Sequence, residues 1–168
     1  MNDGEKGYEY KIASMDELRL RWDRNIAENA GDERWINWGN EAIKDNKIGK
    51  CKTFVILFNK VPIGEGTLLL SPECSGINGR TELADGNYRT NINALRIEKK
   101  HEGQGHISKL VKHMERYATD RGYKAITIGV EASETRNLAI YLHWGYNTFV
   151  MSAIEDNALV LYYLKALE

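Results

Sequence analysis

Glu102-Gly103-Gln104-Gly105-His106-Ile107-Ser108 is the stretch on which the reading of this chain turns. Past its two glycines, Ile107, Leu110, Val111, Met114 and Ala118 recur at i, i+3, i+4, i+7 and i+11, the period of an amphipathic helix. The spacing predicts a helix over Ile107–Arg121, with Gly122 at its C′ position. Gly103 and Gly105 carry no Cβ, so the backbone there can turn tightly and come close to a ligand. The first turn of the helix offers N–H groups with no intrahelical partner and the positive end of the macrodipole, a setting that suits phosphate oxygens. Ser108 adds a hydroxyl and Lys109 a nearby charge. The same residues also fit a plain strand-to-helix turn, so the loop alone leaves both readings open.

On either side of this loop the chain alternates strands and helices. Upstream, Asn91–Ile97 reads as a strand; downstream, Ala125–Val130 (AITIGV) is a short apolar one. Strand, loop, helix and strand in that order predict a crossover between two parallel strands, each buried on both faces. Nearer the start, Tyr8–Ile12 reads as a first strand, and Ser14-Met15-Asp16-Glu17 has capping-box spacing. Met15, Leu18, Trp22 and Ile26 then give one inward helix face. A second helix is expected from about Glu33 to Asp45, carrying Trp35, Ile36, Trp38 and Ile43. Lys52–Phe58 and Ile63–Leu70 read as strands joined by a turn at Asn59–Pro62. Ser71–Thr90 is polar and glycine-rich, a long loop or distorted hairpin of the kind that is often functional. A last helix is expected from about Glu134 to Trp144, with Ser133 as N-cap and Gly145 closing it. Final strands are expected at Phe149–Ala153 and Leu159–Leu164. The fold class is α/β: a mixed, mostly antiparallel twisted sheet with a central parallel strand pair and about four helices.

The 168 residues fit one domain, 1–168. Hydrophobic residues make up 42% and charged residues 28%, with a net charge of -1. That balance offers no basic excess for nucleic acid or an anionic membrane. Neither Cys51 nor Cys74 belongs to a CxxC or a His/Cys cluster, so no metal site is expected. The N-terminus, MNDGEKGYEYK, has no apolar leader core, and no apolar run reaches 18 residues; the expected location is the cytoplasm.

Two nucleotide-binding patterns fit poorly. A Rossmann fingerprint needs a third glycine, where Ser108 stands, and belongs at the first strand of a domain. The Walker A pattern is absent. The segment resembles instead the GNAT superfamily of N-acetyltransferases, whose signature is Arg/Gln-x-x-Gly-x-Gly/Ala between the fourth strand and the third helix. Here it reads Glu102-Gly103-Gln104-Gly105-His106-Ile107, with Glu102 in the Arg/Gln place and Ile107 in the last Gly/Ala place. The preceding strand ends in Leu95-Arg96-Ile97, as that family's cofactor-binding strand does. The resemblance is specific from about Asn91 to Tyr146 and elsewhere follows the order of elements.

The resemblance implies acetyl-CoA as co-substrate and no metal. Glu102 to Ser108 would hold the pyrophosphate. The backbone of Leu95, Arg96 and Ile97 would pair with the pantetheine arm, the fourth and fifth strands splaying to admit it. Tyr141-Leu142-His143-Trp144-Gly145-Tyr146 is similar to the family's Tyr-x-x-x-Gly-Phe, which makes Tyr141 the proton donor to the leaving thiolate; a core tyrosine is the other reading. Glu134 stands where the family has a coenzyme-contacting Asn, with Asn137 close by. The resemblance also implies a homodimer formed through the last strands.

An attacking amine must be neutral, and deprotonating one with a pKa of about 10.4 at pH 7 costs about 4.6 kcal/mol. A base is therefore expected. Candidates are Glu131, at the end of the fifth strand, Glu65 between its two glycines, Glu98 and His101. Trp35 and Trp38 could line an acceptor pocket and favour a cation through their ring faces, although core or interface residues are the stronger reading of both. The expected activity is transfer of an acetyl group from acetyl-CoA to a primary amine of a small molecule or peptide. A non-catalytic acyl-CoA sensor on the same fold, or a partner-binding module without the cofactor, are the alternatives.

Overall fold

Ser14 starts the first helix by the mechanism its spacing predicts. Its hydroxyl accepts from the Glu17 N–H at 3.1 Å, and the Glu17 carboxylate accepts from the Ser14 N–H at 2.8 Å. In the computed structural model, which describes residues 7–168, this helix belongs to the order β1 (Tyr8–Ile12), α1 (Met15–Glu28), α2 (Arg34–Lys47), β2 (Cys51–Phe58), β3 (Val61–Leu69), β4 (Arg89–Ile97), a 3₁₀ turn (Lys99–His101), α3 (His106–Asp120), β5 (Ala125–Glu131), α4 (Thr135–His143), β6 (Thr148–Glu155) and β7 (Ala158–Ala166). Residues 1–6, part of the stretch read for a leader, lie outside the described residues. Hydrogen bonding orders the strands β1-β2-β3-β4-β5-β7-β6. The β4–β5 pair is parallel, while β1–β2, β5–β7 and β6–β7 are antiparallel. The expected mixed sheet with a central parallel pair is what the chain forms.

Several boundaries differ from the sequence reading. Asn59 and Lys60 both take positive φ (49° and 71°), the geometry of a two-residue type I′ hairpin. β3 therefore begins at Val61, and Pro62 belongs to the strand rather than to the turn. Asp156 and Asn157 (φ 49° and 64°) close the β6–β7 hairpin in the same way and lengthen both strands beyond their predicted ends. Glu134, not Ser133, is the N-cap of α4, and no side chain caps it. β4 is not buried on both faces throughout: Thr90–Ile92 are buried, whereas Asn93–Ile97 are exposed or half-buried.

Contacts divide the chain into two compact units, the chain up to Thr67 with Ala94–Met114, and Leu68–Asn93 with Glu115–Glu168. In the first, α1 and α2 accompany β1–β3, and the core includes Leu18, Trp22, Phe54, Ile56, Ile63 and Met114. Close approach of backbone requires Gly64, where a Cβ would meet the Arg96 carbonyl oxygen at 2.9 Å, whereas one on Gly66 would meet the end of the Leu95 side chain at 2.7 Å and displace it.

In the second unit the stretch between β3 and β4 is a series of turns rather than a distorted hairpin. It buries Cys74, Ile77, Leu83 and Ala84. The Thr127 hydroxyl donates to the Leu83 carbonyl at 2.7 Å, which ties the turns to β5. The parallel ladder runs from Arg89↔Ala125 to Ile92↔Ile128 and stops, although both strands continue. Ala94 has φ 57°, uncommon for a non-glycine residue, and interrupts the extended run of β4 just past that point. No helix among the described residues is long and apolar enough to cross a membrane.

Candidate functional site

The glycine loop lies in the first unit. Gly103 and Gly105 have φ of 75° and 82°, conformations that L side chains rarely adopt, and a Cβ at either would meet nothing within 4 Å. The glycines are thus required by backbone twist and not by crowding. The Lys109 N–H donates to the Gly105 carbonyl at 3.1 Å and closes the first turn of α3. The N–H groups of His106, Ile107 and Ser108 precede it and have no carbonyl four residues back within the helix. Residues 102–105 are exposed, and Ile107 and Ser108 are half-buried. The result is an open cradle of backbone donors at a helix N-terminus, a fit for phosphate oxygens.

Gly103 and Gly105 are the two left-handed residues of the loop, and Glu102 before them is exposed. Lys100 is exposed and lies in the 3₁₀ turn. The His106 side chain is 1% exposed, and its ring stacks on Tyr8 at 4.1 Å.

Glu65 lies deep in the same unit. Its carboxylate accepts from Arg21 Nε, from Asn25 Nδ2 at 3.0 Å and from Arg96 Nη1 at 2.9 Å. Glu65 is 1% exposed and Arg21 2%. Glu98 is likewise engaged, by Arg24 Nε at 2.7 Å, with Arg21 Nη1 3.6 Å away. His101 is buried, and its Nδ1 lies 2.7 Å from the Tyr8 hydroxyl. Sequence reasoning missed Arg21 and Asn25. Their signal was present: with Leu18 and Trp22 they stand at i, i+3, i+4 and i+7, so a charge and an amide share the inward face of α1.

The tryptophan faces hold the chain's own cations. The Arg96 guanidinium lies 4.7 Å from the Trp35 ring centroid and 5.5 Å from that of Trp22, and Arg34 lies 5.4 Å from that of Trp38. Each of these rings thus already meets an arginine of the chain itself. Burial pulls the Arg96 guanidinium below its ordinary value, against the neighbouring Glu65 charge, which raises it.

Glu131, Glu134, Asn137 and Tyr141 belong to the second unit. Glu131 ends β5 paired with Val160, and it is exposed. The exposed Glu134 carboxylate accepts from Asn137 Nδ2 at 2.6 Å. Tyr141 is half-buried on α4, its ring centroid 5.7 Å from that of Trp144. Burial, and then the Glu134 charge, hold its phenol above the ordinary tyrosine value. Among the described residues, no group of three or more His, Cys, Asp or Glu is placed to hold a metal ion.

Comparison with known proteins matches residues 12–146 to the family described as "Acetyltransferase (GNAT) family". No curated protein sequence matches. Among solved structures, an acetyltransferase from Salmonella typhimurium that modifies the N-terminal serine of ribosomal protein L7/L12 superposes with a TM-score of 0.69 at 13% identity, over 98% of this chain and 97% of that one. An N-acetyltransferase from Staphylococcus aureus Mu50 gives 0.68 at 12%, over 96% and 99%. A GNAT family acetyltransferase from Elizabethkingia anophelis with acetyl-CoA bound gives 0.62 at 15%, over 97% and 100%. At these identities the likeness is one of fold.

Proposed function

This chain belongs to the acetyltransferase (GNAT) family, and from that membership we propose that it moves an acetyl group from acetyl-CoA to a primary amine of a small molecule or peptide. The observation that carries the reading is the cradle at Gly103 and Gly105: two left-handed glycines with open space above them, running into the N-terminus of α3. It fits the pyrophosphate of coenzyme A. A similar fold bound to acetyl-CoA and another that modifies a protein N-terminus support the cofactor and the class of acceptor.

Acetyl-CoA supplies the thioester carbonyl that the amine attacks. Glu102 to Ser108 hold the pyrophosphate through backbone donors, and Leu95 to Ile97 offer the strand edge for the pantetheine arm, past the point where pairing with β5 ends. Tyr141 donates its phenolic proton as the C–S bond breaks, so coenzyme A leaves as the thiol. Its raised phenol keeps that proton through the neutral range. Glu131 takes the proton that the amine loses, through water. Of the four carboxylate and imidazole candidates, Glu65, Glu98 and His101 are buried and already hydrogen-bonded, whereas Glu131 is exposed. Glu134 and Asn137 are proposed coenzyme contacts near Tyr141. We also propose a homodimer through the last strands, where Phe149 and Ile154 of β6 are 54% and 71% exposed. The cytoplasm is the proposed location.

The test is a panel of amines and peptides with free N-termini, read by thiol release from acetyl-CoA. Release with at least one acceptor is expected. Binding of coenzyme A with no release across the panel would replace the enzyme with a sensor; no binding would overturn both.

A further inference from the structure

We propose that Tyr8 and Tyr10 of β1 are positioning residues that latch the two ends of the glycine loop, and so set its affinity for coenzyme A. This rests on the loop being the pyrophosphate site. His101 ends the 3₁₀ turn just before the loop, and His106 opens α3 just after it. The Tyr8 hydroxyl lies 2.7 Å from His101 Nδ1, and the Tyr10 hydroxyl 2.6 Å from His106 Nδ1. His101 is 5% exposed and His106 1%. The imidazoles are thus buried while the two tyrosines are half-buried, so a lost hydroxyl takes a partner from a buried ring nitrogen.

The geometry follows from strand periodicity. Residues two apart on a strand project from the same face, about 6.6 Å apart. Tyr8 and Tyr10 pair with Phe58 and Ile56 of β2, which fixes their direction. Their hydroxyls therefore act as a two-pronged gauge that sets the span between His101 and His106. The Tyr8 ring adds a second hold: it stacks on His106 at 4.1 Å and meets His101 edge-on at 5.6 Å, so one side chain touches both ends.

The loop needs such a device. Its two left-handed glycines meet no side chain, and residues 102–105 are exposed, so nothing packs against it from above. Glycine also has the most backbone freedom to lose on ordering. One tie reaches into the loop itself: His106 Nε2 lies 3.3 Å from Gln104 Oε1. With the ring proton on Nε2, Tyr10 O–H donates to Nδ1 and Nε2–H donates to Gln104, a relay from β1 to the loop. A loop that holds its bound shape only part of the time binds more weakly in proportion to that fraction.

The test uses Tyr8→Phe, Tyr10→Phe, the double variant, Gln104→Ala, and Tyr10→Phe with Gln104→Ala. Coenzyme A affinity is measured by calorimetry, and amide exchange is followed in the ligand-free protein. Each lost hydroxyl is expected to weaken coenzyme A binding about fivefold, the equivalent of one net hydrogen bond. Exchange should quicken for Gly103–Ile107 and hold elsewhere, with the melting temperature lowered by only a few degrees. The effects of Tyr10→Phe and Gln104→Ala should not add, because they cut one relay. The latch is refuted if the tyrosine variants bind as the parent does while Gly105→Val binds weakly, or if their exchange rises throughout the molecule. If Gly105→Val also binds as the parent does, the loop is not the site and the latch falls with that reading.

Discussion

Tyr141 is where the proposed chemistry reduces to one proton. Its phenol is raised first by burial and then by the Glu134 carboxylate, and both effects disfavour the phenolate. Replacement by Phe keeps the ring against Trp144 and removes only the donor. Turnover should fall about 100-fold, as for loss of a general acid, while coenzyme A affinity changes by no more than about threefold. Steady-state kinetics and calorimetry separate the two; equal turnover in the variant at all pH values would remove Tyr141 from the chemistry. The charge of Glu134 gives a signed companion result. Glu134→Gln takes away a negative neighbour, so the phenolate becomes easier to form and the alkaline fall in turnover should move to lower pH. A shift upward would mean that Glu134 acts on the rate through some other group.

At the scale of elements, α1, β3 and β4 are joined by a buried ionic cluster, with Glu65 of β3 holding Arg21 and Asn25 of α1 and Arg96 of β4. Removing one charge from such a cluster strands the others. Glu65→Gln should therefore cost about 3–5 kcal/mol, a fall in melting temperature on the order of 10 °C, read by thermal denaturation. Replacing Arg21 by Met, Asn25 by Leu, Glu65 by Leu and Arg96 by Met together should recover most of the loss, because an apolar set leaves no partner stranded. A Glu65→Gln protein that melts within a degree of the parent would show the cluster to be energetically idle.

The cluster also marks how far the sequence could be read. Local rules were visible in it: the capping box at Ser14, the helix period from Ile107 to Ala118, and the glycine pair before α3. Pairing across distance was not. Arg21 and Glu65 are 44 positions apart, and only the fold brings them together. Nothing local tells a lone carboxylate between two glycines from a base, so Glu65 stood as a candidate until its three donors were located. The same holds for Tyr8 and Tyr10, which read as strand residues because their partners lie more than 90 positions away. Hairpin ends were missed for a different reason. Asn59-Lys60 and Asp156-Asn157 lack the glycine that would announce a type I′ turn, so both turns were drawn too wide.

For the whole molecule, the proposed cofactor makes a claim on stability that does not depend on knowing the acceptor. A ligand that binds only the folded chain stabilises it by about 2.7 kcal/mol at a concentration of 100 Kd. For a chain of this size that raises the melting temperature by roughly 5–10 °C. Coenzyme A should therefore shift the unfolding transition upward by that amount at saturation, and inorganic phosphate far less, since it supplies only part of what the cradle and strand edge recognise. Gly105→Val places a β-branched side chain at φ 82° in a loop with open space around it. Its cost should come from backbone strain in an exposed segment, which leaves the core untouched and the ligand-free transition within a few degrees of the parent. The shift produced by coenzyme A should then disappear. Two measurements on one instrument thus separate a weakened fold from a lost site: a low starting transition with a full ligand shift would place the cofactor elsewhere, and a normal starting transition with no shift would place it on the loop.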